Sequence, residues 1–439
     1  MIRLRSRHDR AVAALAIPAL GSLVAEPLLS LVDTAFMGRV GTDALGALGV
    51  AGAVFGVAFF VFNFLEYGTT TAVAGSVGKQ DIREAGRATA TSLVLAAVAG
   101  VGTSAVLFFG RETIVGAFVR PGAVRDGALT YVAIRAIAAP AVLVVRAGHG
   151  AYRGFLDTRT PLAVALGVNA INLVLDPLLI FGAGWGIAGA AWATVVAQYA
   201  GAATFVLLLR RGGDRYGLGH GTRPVWSEVR SFLRVGRDLA IRSAALLGAF
   251  TVATAAAARV SDTAVAGHQV LFQVFVFLAL GLDALAITAQ AMVGTALGRG
   301  DRALAREVSD RLLVMGLVVG VALAGALAAL APFLPSWFTG DPAARDAIRQ
   351  GYLILVGLQP LAAVVFVWDG VFIGAADYAY LAITTLVASA VSLAVLVSVV
   401  PQGWGLPGVW WGIAVLLVGR GISLGWRRLD PSGPLRARA

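Results

Sequence analysis

The chain contains no cysteine and only four histidines in its 439 residues. The absence of Cys excludes disulfide frameworks, thiolate metal sites and cysteine nucleophiles. His8, His149, His220 and His268 form no paired zinc motif. Charge is scarce as well: 13% of residues are Asp, Glu, Lys or Arg, against roughly 25% in an ordinary globular chain. So little charge cannot dress a water-facing surface, and no sizeable soluble domain fits. What abounds is apolar, 58% hydrophobic with mean hydropathy +0.82. At roughly 20 residues per spanning helix, this composition fills about twelve spans.

Apolar runs separated by short charged or Gly/Pro breaks predict spans at 11–37, 45–76, 86–110, 127–150, 161–182 and 186–209. A second set follows at 235–259, 264–297, 307–332, 350–372, 379–400 and 405–426. The basic start leads into an apolar run too long for a signal-peptide core, so a first span is expected there and not a cleaved leader. Twelve spans place both termini on one side. Arg3, Arg5, Arg7, Arg10, Lys79, Arg83, Arg87, Arg153, Arg210, Arg211, Arg299, Arg302, Arg420, Arg427 and Arg428 crowd that side, whereas Arg39, Arg111, Arg120, Arg125, Arg259, Arg345 and Arg349 fall on the other. The positive-inside rule then makes both termini cytoplasmic in a multi-pass cell (inner) membrane protein. This sorting accounts for the net charge of +11 without a nucleic-acid partner.

One long polar, Gly-rich stretch, 210–227, divides the chain into an N-terminal six-helix lobe, 1–209, and a C-terminal one, 228–439, and reads as a cytoplasmic linker. At an offset of about 220 residues the halves repeat one another. Gly78-Lys79-Gln80-Asp81 meets Gly298-Arg299-Gly300-Asp301, Pro140 meets Pro360, and Gly150, Gly154 and Asp157 meet Gly370, Gly374 and Asp377. With six spans per half the repeat is parallel, and two bundles facing a central cavity are the architecture of an alternating-access transporter. The predicted fold is an all-α integral membrane protein. Gly184-x-Gly186-x-x-Gly189 matches a dinucleotide fingerprint, but no strand or βαβ unit surrounds it. Its glycines suit a tight turn and close helix packing. No catalytic motif occurs, so the chain is not read as an enzyme.

Ionisable groups inside the spans carry the functional signal, because each costs a few kcal/mol at the bilayer centre unless paired or hydrated. Span 1 holds Ser22, Glu26, Ser30 and Asp33 within an arc of about 80°, and Pro18 and Pro27 make this helix the candidate for bending. Span 5 places Asn169, Asn172 and Asp176 on one face, ahead of Pro177, and span 6 adds Thr194 and Gln198 one turn apart. Two carboxylates with neutral oxygen donors beside them suit a shared proton or a sodium ion, which prefers hard oxygen ligands. Span 4 carries Tyr131, Arg135, Arg146 and His149. Arg146 reads as an ion-pair partner, with Glu26 a candidate acid, and Asp369 in span 10 corresponds to His149 in the repeat. Asp33 and Asp176 meet Ala253 and Leu396 in the second half, so coupling is expected in the N-terminal lobe.

Several segments resemble the multidrug and toxic compound extrusion (MATE) transporters. Pro27-Leu-Leu-Ser-Leu-Val-Asp33-Thr34-Ala-Phe-Met-Gly38-Arg-Val-Gly41 is similar to that family's first-helix signature. Gly150-Ala-Tyr-Arg153-Gly154-Phe-Leu-Asp157-Thr158-Arg159-Thr-Pro161 is similar to its G-x-x-R-G-x-x-D-T-x-x-P motif, the most specific match. The likeness runs from about Ala11 to Trp426 and is nearest to the DinF-like branch. It implies a multidrug efflux antiporter, monomeric and without a cofactor, that exports amphipathic, cationic small molecules in exchange for H⁺ or, in its place, Na⁺. It also implies Asp33 and Asp176 as the coupling pair with Asn172 and Thr194 as oxygen partners, the same four being the Na⁺ ligands in the sodium case. Tyr131 would line a substrate cavity to which Glu26, Ser30, Asn169, Gln198, His149, Arg146 and Asp369 are further candidates. The alternative reading is a lipid-linked oligosaccharide flippase of the same superfamily, which would need a strongly cationic cavity.

Overall fold

The computed structural model describes residues 7–218 and 226–436; of the Gly-rich connector, 219–225 lie outside them. The described residues fold into fifteen α-helices and no strands. Helices α1 (Asp9–Val40), α2 (Thr42–Phe60), α3 (Asn63–Gly78), α4 (Ile82–Gly116), α5 (Ala123–Ala136), α6 (Ala139–Gly154), α7 (Arg159–Pro177) and α8 (Gly186–Gly212) come first. They are followed by α9 (Trp226–Val260), α10 (Asp262–Gly298), α11 (Arg302–Leu330), α12 (Leu334–Phe338), α13 (Pro342–Gly374), α14 (Tyr378–Ser398) and α15 (Gly405–Leu429). Eleven helices, with α2 and α3 taken as one, are long and apolar enough to cross a membrane. The bent pair α5–α6 makes a twelfth. Large apolar side chains stand bare on the outside, Phe109 at 82% exposure among them, which only a lipid environment tolerates.

The helices gather into two compact units. One is Ile17–Gly236; the other joins the residues before Ile17 to Arg237 and beyond. In the second unit Val12 sits in an apolar cluster with Leu285, Val308 and Val371, and Asp9 pairs with Arg311 at 2.6 Å. Residues after α8 continue the first unit: Tyr216 is buried, its ring 5.4 Å from Tyr152 and 4.9 Å from Phe155.

Each unit repeats the same local chemistry. Gly150 and Gly154 of α6 lie on α3, where a Cβ would come within 2.5 Å of the Glu66 carbonyl and 2.6 Å of Val73 Cβ. Their counterparts Gly370 and Gly374 lie on Ala286 and Gln290 of α10 in the same manner, and Gly100 and Gly320 lie on Pro140 and Pro360. Asp81 caps α4 through the Glu84 amide and Asp301 caps α11 through the Leu304 amide, both at 2.8 Å. Leu156 and Ala376, neither of them glycine, share a left-handed φ of 59° and 57° at equivalent turns. The sequence repeat is therefore a repeat of backbone geometry. Overpacking such a crossing costs typically about 1–3 kcal/mol, so Gly150→Leu lowers the thermal midpoint in detergent. Gly102→Leu, where a Cβ meets nothing within 4 Å, leaves it within a degree or two; equal midpoints for the two variants would contradict this packing.

Helices α5 and α6 meet at a break where the chain bends by 56°. Pro140, just past the break, contributes to it, although its counterpart Pro360 lies inside the unbroken α13. Pro140 has no N–H to give the Ala136 carbonyl and disfavours helical geometry in Ala139, and Ala138 tightens to a bond with the Arg135 carbonyl at 2.9 Å. Helix α1 runs unbroken through Pro18 and Pro27.

Candidate functional site

Four helices of the first unit bring a polar cluster together. Asp176, the penultimate residue of α7, is fully buried, as is Asn172 one turn before it. Pro177 removes the next helix hydrogen bond, and the chain widens into a single π-type turn over Leu178–Gly182, a form frequent at functional positions. Glycine at 189 lets α8 press against the Leu179 carbonyl, where a Cβ would sit at 2.7 Å. That approach sets Thr194 beside α7.

The Asn172 amide nitrogen donates to Asp176 Oδ2 at 2.5 Å and to Asp33 Oδ1 at 3.1 Å, while its carbonyl accepts from the Thr194 backbone N–H at 3.2 Å. One amide thus bridges the two acids from α7 to α1. Asp33 and Asp176 lie close enough to influence each other electrostatically, and Asp176 Oδ1 is buried with no hydrogen-bond partner. From the other side Arg135 donates to the Tyr131 hydroxyl at 3.3 Å, and Thr194 donates to the Ala190 carbonyl at 3.0 Å. Arg135 lies over the Phe55 ring at 4.7 Å and close enough to Asp33 to attract it electrostatically. A buried Asp176 with a half-buried Asp33, a bridging amide, a fully buried tyrosine and a nearby guanidinium make up one polar cluster.

Asn169 donates to the Ala25 carbonyl at 2.7 Å, tying α7 to α1 two residues before Pro27. Glu26 and Ser30 are exposed on α1, and Glu26 has no ion pair among the described residues. Gln198 is half-buried one turn after Thr194. His149 stands apart, its ring edge-on to Phe205 at 5.2 Å. Arg146 also lies outside the cluster. It donates to Asn63 Oδ1 at 2.6 Å and is 4.0 Å from Glu66, so Glu66 and not Glu26 is its acid. Glu66 pairs with Arg153, which is buried in α6. Asp369 sits in the second unit between Arg242, at 2.7 Å, and Arg420.

Arg153 and Arg420, assigned from the sequence to the charged flank of the spans, are therefore internal ion-pair partners. Removing them from the loop charge leaves its sign unchanged. Asn63 and Arg242, which join these ion-pair groups, were not singled out from the sequence.

The MatE family model matches the chain twice, at residues 18–178 and 239–399. Protein DETOXIFICATION 44, chloroplastic, of Arabidopsis thaliana is 34% identical, with 96% of this chain and 82% of that protein covered. The DNA damage-inducible protein F of Escherichia coli (strain K12) is 30% identical, covering 96% of this chain and 92% of its own. A solved structure of a MATE in the bent conformation superposes with a TM-score of 0.89 at 20% identity, covering 97% and 96% of the two chains.

Proposed function

This chain belongs to the MATE family of transporters, and we propose that it is a multidrug efflux antiporter, exporting amphipathic, cationic small molecules in exchange for H⁺ entering the cell. The pairing of Asp33 with Asp176 through the Asn172 amide carries the reading. In this reading the pair takes up protons from the outer side until it is neutral. Neutralisation removes the attraction of Arg135 and the preference of the site for a cation, so substrate leaves as protons bind. Helix α1 transmits the change. Pro18 and Pro27 leave the carbonyls of Ala14 and Leu23 without their helical donors, and Asn169 fixes α1 just before Pro27. Bending there shrinks the cavity of the N-terminal lobe.

The lobes, residues 1–209 and 228–439 about the 210–227 connector, alternate access in this reading. The protein works as a monomer in the cell (inner) membrane with both termini cytoplasmic. Proton use is favoured over Na⁺ because Asn172 turns its N–H₂ and not its oxygen to both carboxylates, whereas a sodium ion at Asp33, Asp176, Asn172 and Thr194 needs that oxygen as a ligand. The flippase alternative loses support: Arg146 and Arg153 face Glu66 in one unit, and Arg242 and Arg420 face Asp369 in the other, so these guanidiniums are engaged. In proteoliposomes loaded with a fluorescent cation, an imposed pH gradient alone drives transport and a Na⁺ gradient alone does not. Transport on the Na⁺ gradient at constant pH contradicts proton coupling.

A further inference from the structure

Helices α7 and α8 pack against each other in antiparallel fashion and leave an open groove of about 280 Å³, lined by Ala163, Gly167, Ile171, Ala200, Thr204 and Leu208 among others. Its walls are apolar in effect. The Thr204 hydroxyl is spent on the Ala200 carbonyl at 2.8 Å, and the Thr160 hydroxyl at one end is spent on Asp157 at 2.6 Å. Gly167 adds depth, since a Cβ there would meet nothing within 4 Å. The end bounded by Thr160 and Leu208 is flanked by Arg159, which begins α7, and by Arg210 and Arg211 in the last turn of α8. All three arginines are exposed, and none has an acidic partner among the described residues.

We propose that this groove binds one anionic phospholipid, with an acyl chain laid against Gly167 and Ala200 and the headgroup phosphate held by Arg159, Arg210 and Arg211. Two observations converge on that ligand. An exposed apolar trough along two membrane-crossing helices takes hydrocarbon, and a planar guanidinium pairs bidentately with phosphate oxygens. A neutral lipid leaves three cations unanswered, and a free phosphate leaves the trough unfilled. The inference is independent of the coupling ion and of the exported substrate.

Native mass spectrometry of the full chain with phosphatidylglycerol and phosphatidylcholine of identical acyl chains tests it. With each arginine near an anionic lipid contributing several-fold, the wild type retains one phosphatidylglycerol in preference to phosphatidylcholine by on the order of tenfold or more. The Arg159→Gln, Arg210→Gln, Arg211→Gln triple variant loses the preference and keeps weak binding of both lipids. Gly167→Phe, whose Cβ enters open space, fills the trough and loses both, and Ala163→Leu serves if Gly167→Phe fails to fold. Arg83→Gln with Arg299→Gln, two exposed cations away from the groove, changes nothing. An unchanged preference in the triple variant, equal loss in the Arg83/Arg299 control, or a bound second copy of the chain in place of lipid overturns the proposal.

Discussion

Asp176→Asn reduces pH-gradient-driven transport to the level of empty liposomes while leaving the thermal midpoint close to wild type. Asparagine is almost the same shape and keeps a carbonyl for the Asn172 amide, so the buried cluster stays satisfied. What disappears is the ability to gain and lose a proton. Asp33→Asn does the same from the α1 side, and the double variant is no worse than either single one, because the two acids act as one unit. Counterflow exchange of substrate with no gradient distinguishes loss of coupling from loss of binding. If Asn at 176 leaves gradient-driven transport at the wild-type rate, the acid pair is structural.

Asp369→Ala has the opposite signature. The acid is 6% exposed between Arg242 and Arg420, and deleting one member of a buried ionic cluster strands the remaining charge at a cost of about 3–5 kcal/mol. The expected result is a large drop in thermal midpoint and in the yield of folded protein. Asp283, near enough to Arg420 to attract it, recovers only part of the loss. Among the molecules that do fold, transport per molecule remains driven by the pH gradient, since nothing at 369 touches the Asp33–Asp176 pair. Transport lost at full stability would give the second unit a share of the coupling.

The sequence made the scaffold legible because the bilayer imposes a simple rule, a long apolar run for each crossing, and because duplication wrote each turn twice. Glycines that only pack against backbone, such as Gly150 and Gly370, betray their partner helices by recurring at one offset. The acid cluster was legible for a related reason: a carboxylate in an apolar helix is too costly to be incidental, and the α7 spacing puts Asn172 and Asp176 on one face. Distances across helices were not legible. Nothing in spacing alone says that Asn172 bridges to α1, that Arg146 chooses Glu66 over Glu26, or that the chain bends between α5 and α6. Each depends on which helix faces meet. Arg153 and Arg420 were misread because charge near the end of an apolar run looks alike whether it reaches solvent or turns inward to an acid. Only the position of Glu66 and Asp369 in space separates the two cases.

The most direct test of the acid pair as the coupling site is substrate-evoked proton movement. A cationic substrate is added outside proteoliposomes that carry a lumenal pH dye, with no gradient imposed and Na⁺ absent. Wild-type protein produces a lumenal pH change opposite in charge flow to substrate uptake, and Asp33→Asn and Asp176→Asn take up no proton-coupled substrate and leave the dye silent. A pH response of wild-type size in either variant would contradict the account.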